Sequence, residues 1–310
     1  RDIRTPRAAQ AQRFQRANPH QTERFGRWMP QVWLDAVGGQ SAPPPTTDLV
    51  VAHCREPLGW LPELRAGLLE AVPHLSTRLF LYEKCGSDDP IPWSEKADGP
   101  LVRAQLQNRG EECLGYLSYL VSQYSALPDY VIFLQGDGVL GGRNFRAKAR
   151  GFGAYISRGE RSLFRTVNDH QYISIAESQA ACRADPDLVN CNPGGGPGQW
   201  QCLRDLAARH GIMVPRNAFA TYANAQFGVS RDRIEARTLD FYQKLLAEFE
   251  GTPSLECYRV LWGKGRERPF RGTCALFEML WHTILGEPAI LSPRFTMTGI
   301  VAIPFRERPK

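Results

Sequence analysis

Between Asp48 and Leu134, short apolar runs alternate with amphipathic stretches, and that alternation sets the fold class. Asp48-Leu-Val-Val-Ala-His53, Leu79-Phe-Leu-Tyr82 and Tyr130-Val-Ile-Phe-Leu134 have strand length. The last is apolar on both faces and β-branched at its centre, the mark of a strand covered on both sides in a mostly parallel sheet. Trp60–Leu69 and Glu111–Tyr124 are predicted helices. In the second, Leu114, Leu117, Tyr119, Leu120 and Val121 recur at three- and four-residue spacings and form one stripe. Strand, helix, strand, helix, strand in succession predicts an α/β fold, with a mixed, mostly parallel sheet and helices on both faces.

The flanks are less regular. Residues 1–47 read as an arm and linker: one or two short helices around Trp28, Met29, Val32 and Trp33, then the stiff stretch Ser41–Thr47 with its three prolines. Residues 48–310 read as one domain. Within it, Phe152–Ile156 is expected to be a short helix, Asn168–Trp200 loop and small helices, and Phe219–Val229 a strand. Arg231–Phe249 is expected as a helix capped by Ser230, and Thr273–Leu285 as a last amphipathic helix.

Charge adds one feature. Residues 1–27 hold seven arginines against Asp2 and Glu23, which accounts for +5 of the net +6, so the domain itself is nearly neutral. A basic arm is usually solvated; the other readings are binding to nucleic acid or an acidic surface, and attachment to a protein partner through the arm with Trp28 and Trp33. No zinc finger or aromatic RNA-binding signature is present, so nucleic acid is not an expected partner. With 43% apolar residues there is material for a full core, and no apolar run reaches the length of a membrane span. The chain begins at Arg1, which leads us to expect a targeting segment or membrane anchor outside it. Eight cysteines, none in a Cys-x-x-Cys, argue against structural zinc and fit disulfides formed in the secretory pathway. Two of Cys182, Cys191 and Cys202 are expected to staple the glycine-rich loop Asn192–Gly198.

Ligands of open α/β sheets bind beyond the carboxyl ends of the strands. Three segments should meet there: His53-Cys54-Arg55-Glu56, Lys84–Asp89, and Gln135-Gly136-Asp137-Gly138. Asp137, beside glycines at the end of a buried strand, is the candidate carboxylate for Mn or Mg bridging a diphosphate. Gly-Asp-Gly is equally the chemistry of a turn. Glu278, on a helix face with Trp281 and His282, is the candidate general base toward an acceptor hydroxyl. There is no Gly-x-Ser-x-Gly elbow, phosphate-binding Walker loop or His-Glu-x-x-His, which removes three large enzyme classes.

Asn108-Arg-Gly-Glu-Glu-Cys-Leu-Gly-Tyr-Leu-Ser-Tyr-Leu120, with Tyr124, Leu127-Pro128 and Phe133-Leu-Gln-Gly136, resembles a eukaryotic family of uncharacterised proteins. Val50-Val-Ala-His53 with Trp60-Leu61, and Leu79-Phe-Leu-Tyr82 with Lys84, match its first two strands. Tyr222-Ala-Asn-Ala-Gln-Phe-Gly-Val-Ser-Arg-Asp-Arg-Ile234 and Glu278-Met-Leu-Trp281 match later blocks, so the resemblance runs from about residue 49 to 290. Its first strand and loop look like the nucleotide-sugar half of GT-A glycosyltransferases, a Rossmann-like fold, and Gln226–Arg231 is similar to an acceptor-side block of those enzymes.

The resemblance implies transfer of a sugar from a nucleotide diphosphate donor to a glycan or protein hydroxyl, in the Golgi lumen or outside the cell. Donor-side residues would be His53, Arg55, Gln135 and Gly136; acceptor-side residues would be Gln226, Ser230 and Arg231; Glu278 and Asp137 would be catalytic. Two departures stand out. The family block reads Asn-x-Gly-Arg-Glu where this chain has Asn108-Arg-Gly-Glu-Glu112. The GT-A metal motif has two acids one residue apart, where this chain has Gln135-Gly-Asp137. They favour the alternative, a non-catalytic carbohydrate-binding or assembly subunit that keeps the fold.

Overall fold

The computed structural model describes residues 43–86, 90–136, 145–166, 172–174, 199–215, 219–222, 225–250 and 271–290. The chain divides into two units, Arg1–Pro43 and Pro44–Lys310. The expected arm helices, Asp88-Asp89, Asp137 and the loop Asn192–Gly198 lie outside the described residues.

The second unit is built on a six-stranded sheet in the order β3-β2-β1-β4-β8-β5. Its strands are β1 Thr46–His53, β2 Ser76–Glu83, β3 Leu101–Gln105, β4 Tyr130–Gln135, β5 Phe164–Thr166 and β8 Phe227–Ser230. A separate antiparallel pair joins β6 Tyr172–Ser174 to β7 Ala220–Tyr222. β1, β2, β3 and β4 are mutually parallel, while β8 runs antiparallel to both β4 and β5. The α/β class and the mixed, mostly parallel sheet are therefore as the apolar pattern dictates.

Alternation along the central strands feeds two cores. Leu49, Val51, Leu79, Leu81, Ile132 and Leu134 face helices α1 Leu61–Ala71 and α4 Phe145–Ser157. Val50, Ala52, Phe80, Tyr82, Val131 and Phe133 face α3 Glu111–Gln123, α5 Gln199–Arg209, α7 Leu239–Ala247 and α8 Arg271–Ile284. On the first face the helices cross at glycines: a Cβ on Gly67 would lie 2.1 Å from the Arg146 carbonyl oxygen, and one on Gly153 would lie 2.7 Å from Ala71 Cβ. On the second face Phe133 packs within 5.0 Å of both Tyr116 and Phe227, and Trp281 closes the group at 5.5 Å from Phe227.

Several elements differ from the sequence expectation. β1 begins at Thr46, inside the stretch read as linker, because Thr46 N–H and Oγ1 both reach Asp129 Oδ2 at 2.9 Å. The short helix α2 Glu95–Asp98 and edge strand β3 carry no apolar run, and Val102, Arg103 and Gln105 are exposed, so periodicity gave no sign of them. The single strand expected over Phe219–Val229 is two strands in two different sheets. The helix expected over Arg231–Phe249 is broken into α6 Arg231–Glu235 and α7, because Thr238 caps the second piece by accepting from Phe241 N–H at 3.3 Å. Ser230 does stand at the N-cap of α6, but its hydroxyl donates to the Arg161 carbonyl at 2.6 Å instead of capping. The strand β6 falls within 168–200, where loop and small helices are expected, and α4 extends well beyond Phe152–Ile156.

Two disulfides join described residues. Cys113–Cys274 ties α3 to α8 inside the core, and Cys54–Cys85 ties the loop after β1 to the loop after β2 at the half-exposed edge of the sheet. Cys202 is also disulfide-bonded, to a partner outside the described residues. No cysteine is free among the described residues. No described helix is long and apolar enough to cross a membrane.

Gly67→Ala is expected to lower stability by about 1–3 kcal/mol through overpacking against the α4 backbone. Gly151→Ala, with nothing within 4 Å of its added carbon, is expected to raise it by up to about 1 kcal/mol through helix propensity. Urea denaturation of the two variants checks both signs. Brief treatment of the native protein with dithiothreitol, then alkylation and peptide mapping, is expected to label Cys54 and Cys85 before the buried Cys113 and Cys274, because thiol exchange needs access to the sulfur.

Candidate functional site

The strand order places a reversal between β1 and β4. The chain moves outward from β1 to β2 and β3, then crosses back to pair β4 on the other side of β1. In open α/β sheets the carboxyl edge beside such a reversal is where ligands bind. Ala52 pairs with Gln135, and Gly136 N–H donates to the Ala52 carbonyl at 2.8 Å, so the two strand ends stay in register as far as Gly136.

On the α1/α4 face of this edge the chain after β1 folds into a tight turn. His53 is buried, and its Nε2 lies 2.9 Å from the Glu56 carbonyl oxygen. A carbonyl only accepts, so Nε2 carries the hydrogen, while buried Nδ1 has no hydrogen-bond partner. The Glu56 carboxylate turns back: Oε2 accepts from Cys54 N–H at 2.7 Å and from Arg55 N–H at 3.1 Å. The same oxygen lies against Gly136, where an added Cβ would come within 2.6 Å of it. Trp60 donates from Nε1 to the Gly136 carbonyl at 3.0 Å and stacks on Phe145 at 5.1 Å between ring centroids. Gly136 is thus held at both its N–H and its carbonyl.

On the α3/α8 face the same edge carries a buried polar group. Gln135 follows Phe133 on that side of β4, and its Oε1 accepts from Gln226 Nε2 at 3.4 Å. Tyr116 fixes the turn before Gln226 by donating to the Ala225 carbonyl at 2.8 Å. Glu112, in the first turn of α3, shares this edge, and the Gln135 side chain favours its ionised form. Burial drives the Glu112 carboxyl pKa up, while its own backbone N–H, the Lys84 ammonium and the Gln135 amide pull the other way. Lys84 itself is 9% exposed, so a cation and an acid share this edge largely away from water.

Glu112 was missed in the sequence because an acid in a first helical turn reads as a helix-dipole partner. The available signal was its spacing, four residues before Tyr116 and so on the buried stripe. Glu112 Oε1 also lies 3.3 Å from Cys274 Sγ, a contact and not a hydrogen bond, because that sulfur is bonded to Cys113. Among the described residues, Glu112, Cys113 and Cys274 are the one grouping of metal-type donors. With both sulfurs in a disulfide it does not fit a divalent cation.

The expected site residues thus separate. His53, Gln135, Gly136 and Gln226 meet at the carboxyl edge, with the exposed Arg55 on the turn beside them. Glu278 is half-buried on α8, one turn after Cys274 and engaged in contacts of its own. Ser230 and Arg231 do not join them. Because β8 is antiparallel to β4, Ser230 pairs with Tyr130, five residues and roughly 16 Å from Gln135. Arg231 is committed at that opposite edge, donating to the Pro128 carbonyl at 3.0 Å and pairing with Asp129 Oδ1 at 3.2 Å. His282, on α8, packs against β7, with Nδ1 3.0 Å from Thr221 Oγ1 and its ring 5.2 Å from Phe219, which is a structural placement.

No protein-family model matches the chain, and no curated protein matches it. Among solved structures it is similar to glucosyl-3-phosphoglycerate synthase of Mycobacterium tuberculosis, at 13% identity over 79% of this chain and 82% of that one, with a TM-score of 0.32. The same synthase in complex with uridine diphosphate aligns at 12% identity over 79% and 81%, with a TM-score of 0.31. Its complex with Mn2+, uridine-diphosphate-glucose and phosphoglyceric acid aligns at 13% over the same shares, with a TM-score of 0.29. Likeness at this level assigns neither a substrate nor a residue role to this chain.

Burial holds the His282 imidazole down to about 4 from the ordinary 6.5. Below pH 6.5 the unfolded chain takes up a proton that the folded chain refuses until about pH 4, so this contribution to stability is lost as pH falls through that window. The expected loss between pH 7 and 5 is about 2 kcal/mol. Urea midpoints at the two pH values should show a smaller drop in His282→Asn; an equal drop in both proteins would clear His282 of the effect.

Proposed function

We propose that this chain is a glycosyltransferase-like enzyme that moves a sugar from a nucleotide diphosphate donor to a hydroxyl of a glycan or protein. The observation that carries the proposal is the reversal of strand order between β1 and β4. Crevices at such reversals are where open α/β sheets take nucleotides, and here both strand ends carry the donor-side residues. His53 shapes the turn after β1, Arg55 presents an exposed guanidinium there, and Gly136 lets the chain pass close to the ligand. The positive charge of Arg55 and Lys84 would stabilise the diphosphate as it departs.

Glu278 is the proposed base toward the acceptor hydroxyl, and Gln226 the acceptor-side residue held nearest the donor. Asp137 is the proposed carboxylate for Mn or Mg arriving with the diphosphate; the roles of the other residues do not depend on that ion. The disulfides support residence in the secretory pathway. The basic arm is the proposed attachment to a protein partner.

A second reading, a binding subunit without turnover, is favoured by Gln135. That residue stands where an acid would complete a pair, and its side-chain oxygen accepts from Gln226. Donor hydrolysis or transfer in the presence of glycan acceptors separates the two readings, because only the enzyme consumes the donor.

Calorimetric titration with uridine and guanosine diphosphates, in Mn2+ and in EDTA, is expected to detect one of them. Asp137→Ala is expected to weaken that binding at least tenfold, about 1.4 kcal/mol. Silence toward every nucleotide diphosphate under both conditions would sink the proposal.

A further inference from the structure

The turn after β1 contains an anion already. Two consecutive backbone N–H groups, of Cys54 and Arg55, converge on one oxygen, Glu56 Oε2, at 2.7 and 3.1 Å. Successive N–H groups pointing at one place form a concave nest suited to a phosphate or carboxylate oxygen. This nest lies at the reversal between β1 and β4, with its captured oxygen resting against Gly136.

We propose that the Cys54/Arg55 nest is a binding site for one phosphate of the donor, and that Glu56 occupies it as an internal stand-in until the ligand displaces it.

Two features let the carboxylate leave while the nest stays. The Glu56 backbone is tethered separately, its carbonyl accepting from His53 Nε2 at 2.9 Å, so a rotation about the side-chain bonds need not move the turn. Cys54 is anchored to Cys85, and Lys84 N–H donates to the His53 carbonyl at 3.0 Å, which braces the same turn against β2. Glu56 is half-buried, so its carboxylate has a route to water. The glycine at 136 has the same origin: with Oε2 at 2.6 Å from any added Cβ, a side chain there would compete with the occupant for the space. Displacement exchanges one anion for another in the same pair of donors, so the ligand must outcompete a tethered carboxylate present at high effective concentration. A donor diphosphate with more charge and further contacts can do so where a lone phosphate binds weakly.

This proposal rests on the donor reading for the identity of the ligand, while the nest itself requires only an anion. The test is calorimetric titration of inorganic pyrophosphate and uridine and guanosine diphosphates into the full chain. It compares wild type, Glu56→Ala, Glu56→Gln and Glu63→Gln, the last removing one exposed charge from the first turn of α1 nearby. Amide signals of Cys54 and Arg55 are followed by NMR, and melting curves confirm folding.

Glu56→Ala is expected to bind pyrophosphate at least fivefold tighter than wild type, Glu56→Gln to show a smaller gain, and Glu63→Gln to stay within twofold. The Cys54 and Arg55 amides are expected to shift on binding. Unchanged or weaker binding by both Glu56 variants, an equal gain in Glu63→Gln, or unmoved amides would each overturn the nest. If Glu56→Ala fails to fold, the isosteric Glu56→Gln decides. Wild type that binds a nucleotide diphosphate with no effect at Glu56 removes the nest and leaves the donor reading. Glu56→Ala that binds pyrophosphate and no nucleotide keeps the nest and removes the donor.

Discussion

The pairing of β1 with β4 is the constraint on which the rest of this molecule depends. β1 has parallel partners on both sides, so its hydrogen bonds are fully used and its residues are shielded above and below. A parallel neighbour cannot follow through a tight turn and must return by a crossover. That requirement sends the chain out through β2 and β3 before β4 comes back to the other side. The adjacency of the β1 and β4 carboxyl ends follows directly, and with it the nearness of Ala52 to Gln135 and Gly136.

The two faces of the sheet hold this arrangement by different means. On one, α1 and α4 approach so closely at Gly67 and Gly153 that backbone meets side chain, which fixes the crossing. On the other, a cluster of aromatic rings and the Cys113–Cys274 bond lock α3 and α8 behind β4 and β8. At the amino edge of the strands, Asp48 is fully buried and receives two hydrogen bonds at 2.7 Å from Arg78 and one at 2.5 Å from Tyr119. Burial raises its pKa against those bonds. A buried ion pair of this kind contributes little net stability but is expensive to break on one side only. Its consequence is alignment, since it joins β1, β2 and α3 at a single point.

The carboxyl edge is organised in the opposite spirit. Glu112, Lys84, Gln135 and Gln226 are buried or nearly so, a costly composition unless each group is engaged. Rings packed below them fix the strands, so these polar groups can be held in one geometry at the carboxyl edge. Glu56 in the backbone nest and Trp60 on the Gly136 carbonyl extend the same order to the other face.

The apolar runs by themselves determined the class of fold, the central strands and the helix stripe of Glu111–Tyr124, because burial on two faces or on one leaves a period in the sequence. Sequence also marked the carboxyl ends of β1 and β4 as the place for chemistry, since that follows from any parallel sheet. It could not reveal β3, whose exposed side chains leave no apolar period, nor that Phe219–Val229 splits between two sheets. It grouped Gln226, Ser230 and Arg231 as one block, and only the antiparallel register of β8 carried Gln226 to the site and the other two to the far edge. Neither Glu56 in its nest nor Glu112 beneath Gln135 was legible as a partner of those residues. Such contacts join residues 52 to 136 or 112 to 135 through strand order and register, and local spacing along a chain does not encode which strand ends become neighbours.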